Sequence, residues 1–271
     1  MEHLIVVRGG GDIATGTIHK LHRSGFPVLV LESHRPSAIR RRVAFSEAVY
    51  DGVSTVEGTV CRLVDSADQA TCVIRAGEVA IMVDEECRVI EELQPWALVD
   101  GIIAKRNLGT NRDMAKKTIA LGPGFTAGKD VDLVIETMRG HDLGRIIESG
   151  NALENTGTPG NIEGFSLERV IYSAYFGTFY SIAQIGDLVT EGQIIAVIRG
   201  QGEEHPVQAT ISGILRGSIR DGFQVKDGLK IADIDSRKSE QKNCFTISDK
   251  ARCIAGSVLE GLLYLEKRDG H

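Results

Sequence analysis

A chain of 271 residues, 42% hydrophobic and 25% charged with a formal net charge of −6, is long enough for two modest domains, each with its own core. The negative balance argues against nucleic acid, because phosphate backbones are bound through an excess of Lys and Arg. No apolar run approaches the roughly 20 residues of a spanning helix, and the N-terminus lacks the pattern of a signal peptide, so the expectation is a cytoplasmic protein without a membrane partner. The five cysteines are odd in number and form no C-x-x-C pair, which predicts reduced, packed thiols and no metal site.

Leu4 to Gly9 (LIVVRG) predicts a buried strand, GGDIATG a tight turn, TIHKLHRSG a helix ending at Gly25, and PVLVLE a second strand. Gly9, Gly11 and Ala14 fit G-x-G-x-x-A, a spacing that permits the turn, brings backbone close to a pyrophosphate and packs helix on strand. Gly9, Gly10, Gly11, Asp12 and Ala14 are therefore candidate binding residues, with phosphate at the helix N-terminus. Glu32, closing the second strand, stands where a ribose-binding acid is expected. Arg35, Arg40, Arg41 and Arg42 follow, and Arg41 is the candidate for an extra phosphate, against the alternative of a solvated basic loop.

Glu78 to Asp84 and Pro95 to Gly101 predict further buried strands flanking a helical CRVIEEL, the alternation a parallel sheet requires. Asp100, Lys105, Asn107 and Thr110 come after the second of these, where open parallel sheets bind ligands, and Lys105 is a candidate anion contact. KTIALG then runs into Leu121 to Arg145, where four glycines surround a short apolar run with polar groups beside them. Gly122 and Gly124 predict a second anion-binding nest, and Thr126, Glu136, Arg139 and His141 complete the candidate site, His141 with acid or base chemistry or a structural hydrogen bond as its two readings.

Residues 149–165 are rich in Gly, Asn and Thr and carry no hydrophobic period, which marks a linker or binding loop and the domain boundary. Beyond it Gly177, Gly186, Val189, Gly192, Ile195 and Ile198 recur as Gly213, Gly222, Val225, Gly228, Ile231 and Ile234, a constant offset of 36 residues that predicts two related β-hairpin units. The spacing resembles the barrel-sandwich hybrid of biotinyl and lipoyl carrier domains, yet no lysine lies from Gly177 to Val225 to carry a swinging arm. Ser248 as N-cap and Ile254, Val258, Leu262 and Leu265 at helical spacing predict a C-terminal helix. The expected fold is α/β: a Rossmann-like parallel sheet domain (1–150), a connecting loop (151–168), a small all-β barrel-sandwich-hybrid-like domain (169–240) and a C-terminal helix packed on the body (241–271).

VRGGGDIATGTIHKL, RPSAIRRRVAFSEAVYDG, VDGIIAKRN, LGPGFTAG, VIETMRGHDLGR, NTGTPG and IADIDSR together resemble the YqeB family of accessory proteins from selenium-dependent molybdenum hydroxylase systems. The resemblance implies a role in maturing a hydroxylase of the xanthine or purine dehydrogenase type, with that client and its maturation machinery as partners and a homo-oligomer left open. It supplies no catalytic residue. The ligand expected on chemical grounds is NAD(P) or a molybdopterin-type cofactor, and the alternatives are an NAD(P)-dependent oxidoreductase or a non-catalytic scaffold.

Overall fold

The computed structural model describes residues 1–154, 164–200 and 202–269, so NTGTPG and the middle of the 151–168 connection lie outside the described residues. The described chain divides into one unit of 1–36, 44–154 and 247–269, and another of 37–43 and 164–246.

The first unit is built on β1 (Ile5–Arg8), β2 (Val28–Glu32), β3 (Val53–Val56), β4 (Thr59–Val64), β5 (Val79–Val83), β6 (Ala97–Asp100), β7 (Lys117–Leu121), β9 (Leu133–Ile135) and β10 (Ile146–Ile147), with β8 (Thr126–Ala127) and β11 (Gly150–Asn151) pairing separately. The large sheet runs β10-β9-β7-β6-β1-β2-β5-β4-β3. Its centre is parallel, with Ile5 of β1 in register with Val28 of β2 and Ala97 of β6, and its two edges, β3 on β4 and β10 on β9, are antiparallel. The central strands are buried along nearly their full length, which is why they are continuous apolar runs and not alternating ones.

Helices α1 (Asp12–Arg23), α2 (Ala48–Asp51), α3 (Ala67–Arg75), α4 (Ile90–Leu93) and α5 (Asp249–Asp269) belong to this unit. The Ser248 hydroxyl accepts the Ala251 N–H at 3.2 Å, and Ile254, Val258, Leu262 and Leu265 of α5 are fully buried. Gly16 lets α1 approach α5 closely: a Cβ there would come 2.8 Å from that of Ala251. No described helix is long and apolar enough to cross a membrane.

The second unit holds two four-stranded antiparallel sheets. Its strands are β12 (Val170–Tyr172), β13 (Gly177–Ser181), β14 (Leu188–Val189), β15 (Ile194–Gly200), β16 (Glu203–Gln208), β17 (Gly213–Ser218), β18 (Gln224–Val225) and β19 (Lys230–Asp235). The orders β16-β15-β13-β18 and β12-β19-β17-β14 follow the 36-residue offset, since β13, β14 and β15 correspond to β17, β18 and β19. Each copy lends its short strand to the other copy's sheet, and Phe179, Ile195, Ile198, Leu215, Ile231 and Ile234 share one apolar core.

The expected fold class is corrected by this architecture. The chain is mixed α/β around a large, mostly parallel sheet with antiparallel edges, in place of a Rossmann-like parallel domain with an appended helix. A small barrel domain is not shown among the described residues: each sheet of the second unit keeps two edge strands, whereas barrel closure removes edges.

Candidate functional site

From β1 the chain passes through α1 to β2 on one side, while β6 lies on the other. The carboxyl ends of β1 and β6 thus form the crossover point at which open α/β sheets bind ligands. Two charged residues in register close these strands, Arg8 and Asp100, 5% and 2% exposed. The Thr110 hydroxyl donates to Asp100 Oδ2 at 2.6 Å and receives an N–H from Arg8, whose guanidinium lies 3.5 Å from the same carboxylate oxygen. Arg8 also donates to the carbonyls of Glu85 and Leu108 at 3.1 and 3.3 Å, and Asp100 Oδ1 accepts the Ile102 N–H at 3.1 Å. A buried ion pair is tolerable only when its remaining valences are met like this. Here the network anchors both ends of the loop 101–110.

That loop carries backbone strain. Ile103 and Lys105 hold φ of +56° and +62°, a region unfavourable to a β-branched side chain and common where backbone is held for function. The loop is gripped from two directions: a Cβ on Gly9 would come 3.1 Å from Ile102 Cα, and one on Gly124 only 2.6 Å from Arg106 Cα. The turns after β1, β6 and β7 therefore converge at one edge. Lys105 and Arg106 are exposed there and make no hydrogen bond or ion pair with any described residue.

The glycine turn is partly consumed by its own fold. Gly10 donates its N–H to Glu32 Oε2 at 2.7 Å, while Glu32 Oε1 accepts the Ser33 N–H at 2.7 Å. The structure brings Glu32 to the turn as a hydrogen-bond acceptor for backbone. Gly10 also lies under Ser46, whose N–H donates to the Gly10 carbonyl at 2.9 Å. Ala14 faces Gly101, where an added Cβ would come 3.0 Å from the Ala14 Cβ, so this position must stay small for helix and strand to meet. Only Gly11 opens outward: a Cβ there would meet nothing within 4 Å, and it caps α1 without a side-chain hydrogen bond, with Asp12 in the first turn.

The remaining candidates separate. Gly122 (φ +78°) adjoins Thr137, whose Oγ1 leaves no room for a Cβ. Thr126 is held by Asp130 and Asn151, and the Glu136 carboxylate accepts the N–H groups of Met138 and Leu153 at 2.7 and 2.8 Å. Both are occupied in holding loops together. Arg139 pairs with Asp249 through two hydrogen bonds of 3.1 Å, and His141 is exposed. Arg41 belongs to the other unit, where it donates to the Ser218 carbonyl at 2.7 Å.

Arg8 and Lys250, like Arg106, escaped the sequence reading. Arg8 looked like the end of an apolar strand, and its partner Thr110 stands 102 residues away. Lys250 sits among Arg139, Asp12, Glu136 and Asp249, and burial with the Arg139 charge holds its amine below the usual lysine range. No local pattern announces either. Burial raises the thiols of Cys61, Cys87 and Cys244, Cys87 to about 11, while Cys72 and Cys253 are exposed. Among the described residues no group of three or more His, Cys, Asp or Glu gathers as a metal site.

No family model matches the chain. Over 264 residues it is 50% identical to the protein described as uncharacterized protein YqeB of Escherichia coli (strain K12), an alignment covering 97% of this chain and 48% of that one. The chain spans about half the length of the curated relative it matches. Likeness to solved structures is weak. The apo ectoine utilization protein EutE (DoeB) from Ruegeria pomeroyi aligns at a TM-score of 0.27 and 11% identity over 85% of each chain. Succinylglutamatedesuccinylase/aspartoacylase from Rhodobacter sphaeroides aligns at 0.29 and 12% over 86% of this chain and 85% of that one. Scores of this size carry no argument about activity. Identity at half of the aligned positions along nearly the whole chain makes it similar in sequence to about half of that protein.

Proposed function

We propose that the chain binds a phosphate-bearing ligand, a nucleotide or a molybdopterin-type cofactor, at the carboxyl edge of β1, β6 and β7, and that it acts as an accessory factor in maturing a selenium-dependent molybdenum hydroxylase of the xanthine or purine dehydrogenase type. The observation that carries the binding is the strained 101–110 loop, which presents Lys105 and Arg106 at the crossover point without hydrogen bonds or ion pairs to any described residue. Cations held on rigid backbone lose little entropy on meeting an anion, and each charge-assisted contact contributes about 1.5–3 kcal/mol. The maturation role rests on the resemblance carried by the family motifs, VRGGGDIATGTIHKL, LGPGFTAG and VIETMRGHDLGR among them. Native mass spectrometry of the purified protein identifies the ligand class, and calorimetry with that ligand then compares the wild type with Lys105→Glu/Arg106→Glu. Binding weakened by about a hundredfold or more is expected from two such contacts. Unchanged affinity in the double variant sinks the assignment of this edge.

The juxtaposition of Glu32 and Gly10 favours a second reading, an NAD(P)-dependent oxidoreductase. Turnover of a nicotinamide dinucleotide with a small substrate is the result that would select it.

A further inference from the structure

β2 and β5 are neighbours in the large sheet, with Glu32 in register with Val83. Glu32 reaches the glycine turn, and Val83, unlike the four buried residues of β5 before it, is 43% exposed. Beyond these strand ends two loops are tied to each other. One oxygen of the Glu85 carboxylate accepts the backbone N–H of His34 at 3.2 Å and its ring Nδ1–H at 2.7 Å. The Glu85 carbonyl in turn accepts from the buried Arg8 at 3.1 Å. His34 still leaves 72% of its side chain exposed. An exposed ring already held in one orientation has little rotamer freedom left to lose when a ligand stacks on it. Each Glu32 oxygen accepts one backbone N–H, which leaves each a lone pair for a ligand's hydroxyl or ring N–H.

Strands β6, β1, β2 and β5 stand side by side. Three strand spacings place the carboxyl ends of β6 and β5 about 14 Å apart. A single inorganic anion cannot touch both the 101–110 loop and His34, whereas a ring joined to its phosphate through a sugar or a short chain can. We propose that His34 and Val83 form the ring subsite of this edge, and that the ligand is the phosphate of a fused nitrogen heterocycle, a purine nucleotide or a pterin phosphate. The ring stacks on the imidazole with its edge over Val83, Glu32 takes the donors between, and the phosphate meets Lys105 and Arg106.

This inference rests on the phosphate reading at Lys105 and Arg106, and the experiment separates the two. The full chain is titrated calorimetrically with guanosine 5′-monophosphate, with neopterin monophosphate and with ribose 5-phosphate, which has no heteroaromatic ring. At least one of the first two should bind about tenfold or more tighter than ribose 5-phosphate, the scale of one stacked base, and the tighter of them identifies the ring. His34→Ala, at an exposed position, should remove that advantage and leave the affinity for ribose 5-phosphate as it was. In proton NMR the His34 ring resonances should move upfield with the tighter ligand and stay in place with ribose 5-phosphate, which a histidine that only ties loops together would not do. Equal wild-type affinities for all three compounds, or an equal loss for all three in His34→Ala, overturns the ring subsite and leaves the phosphate reading standing. Lys105→Glu/Arg106→Glu should weaken all three alike; if it weakens none, the phosphate reading fails even where His34→Ala acts as expected. Binding of none of the three overturns both.

Discussion

Arg8 is a guanidinium at 5% exposure whose charge is met by one carboxylate, that of Asp100. Removing Asp100 leaves the cation buried without a counter-charge, which typically costs 3–5 kcal/mol, roughly in proportion to how completely the site is dry. Asp100→Ala should therefore lower stability in urea denaturation by about 3 kcal/mol or more. Thr110→Val keeps the shape, deletes one bridging hydroxyl and leaves the ion pair, so about 1–3 kcal/mol is expected. If both variants unfold with the wild-type midpoint, the network does not anchor the loop. A second consequence separates anchoring from stability alone. Thr110→Val, still folded, should bind the anionic ligand more weakly in calorimetry, because Lys105 and Arg106 lose the backbone that presents them.

Elements repeat this logic through glycine. Gly177 in β13 and Gly213 in β17 are 36 residues apart, and a Cβ on either would collide with a backbone carbonyl, that of Arg199 or Asp235, themselves related by the same offset. Backbone in a paired sheet yields little, so Gly177→Ala and Gly213→Ala should each lower stability in urea denaturation by about 1–3 kcal/mol and to a similar degree. A large effect at one and none at the other would deny that the copies are structurally equivalent. Such equivalence was legible in the sequence because the offset is constant and the glycines recur. The central parallel strands were legible for a related reason: burial on both faces leaves unbroken apolar runs such as VAIMV and KTIAL. The hairpin of β3 and β4 was not, since Val53 is 42% exposed and the strand's faces alternate irregularly. Of the site, the glycine turn, Glu32 and Lys105 stood out through spacing, whereas Arg8, Arg106 and Lys250 acquire their meaning from partners or strain that only folding creates.

At the scale of the whole molecule, burial of titratable groups sets how stability follows pH. His19 is 6% exposed, bonds Thr59 through Nδ1 at 2.9 Å and lies 3.8 Å from Glu57. Desolvation outweighs the pull of that carboxylate and lowers its pKa below the ordinary value of 6.5, and desolvation lowers His22 likewise. Between the folded pKa and 6.5 the unfolded chain binds more protons than the folded one, so stability rises with pH across that window and is lost as pH falls through it. Glu57 extends the trend. Burial would raise its pKa, but hydrogen bonds from Arg252 and the Ile247 N–H hold it below 4.5, so its contribution is present above 4.5 and disappears on further acidification. Lys250, depressed by burial, adds stability only as pH climbs from its folded pKa towards 10.5. All of these slopes have one sign. The urea midpoint should accordingly fall from pH 7.5 to 5.5, and His19→Asn, which keeps a polar partner for Thr59, should flatten that fall and leave the part due to His22. A midpoint constant between pH 7.5 and 5.5 in the wild type would mean that neither histidine is held neutral by the fold, and the packing of α1 against the β3–β4 turn and α5 would have to be looser than its contacts imply.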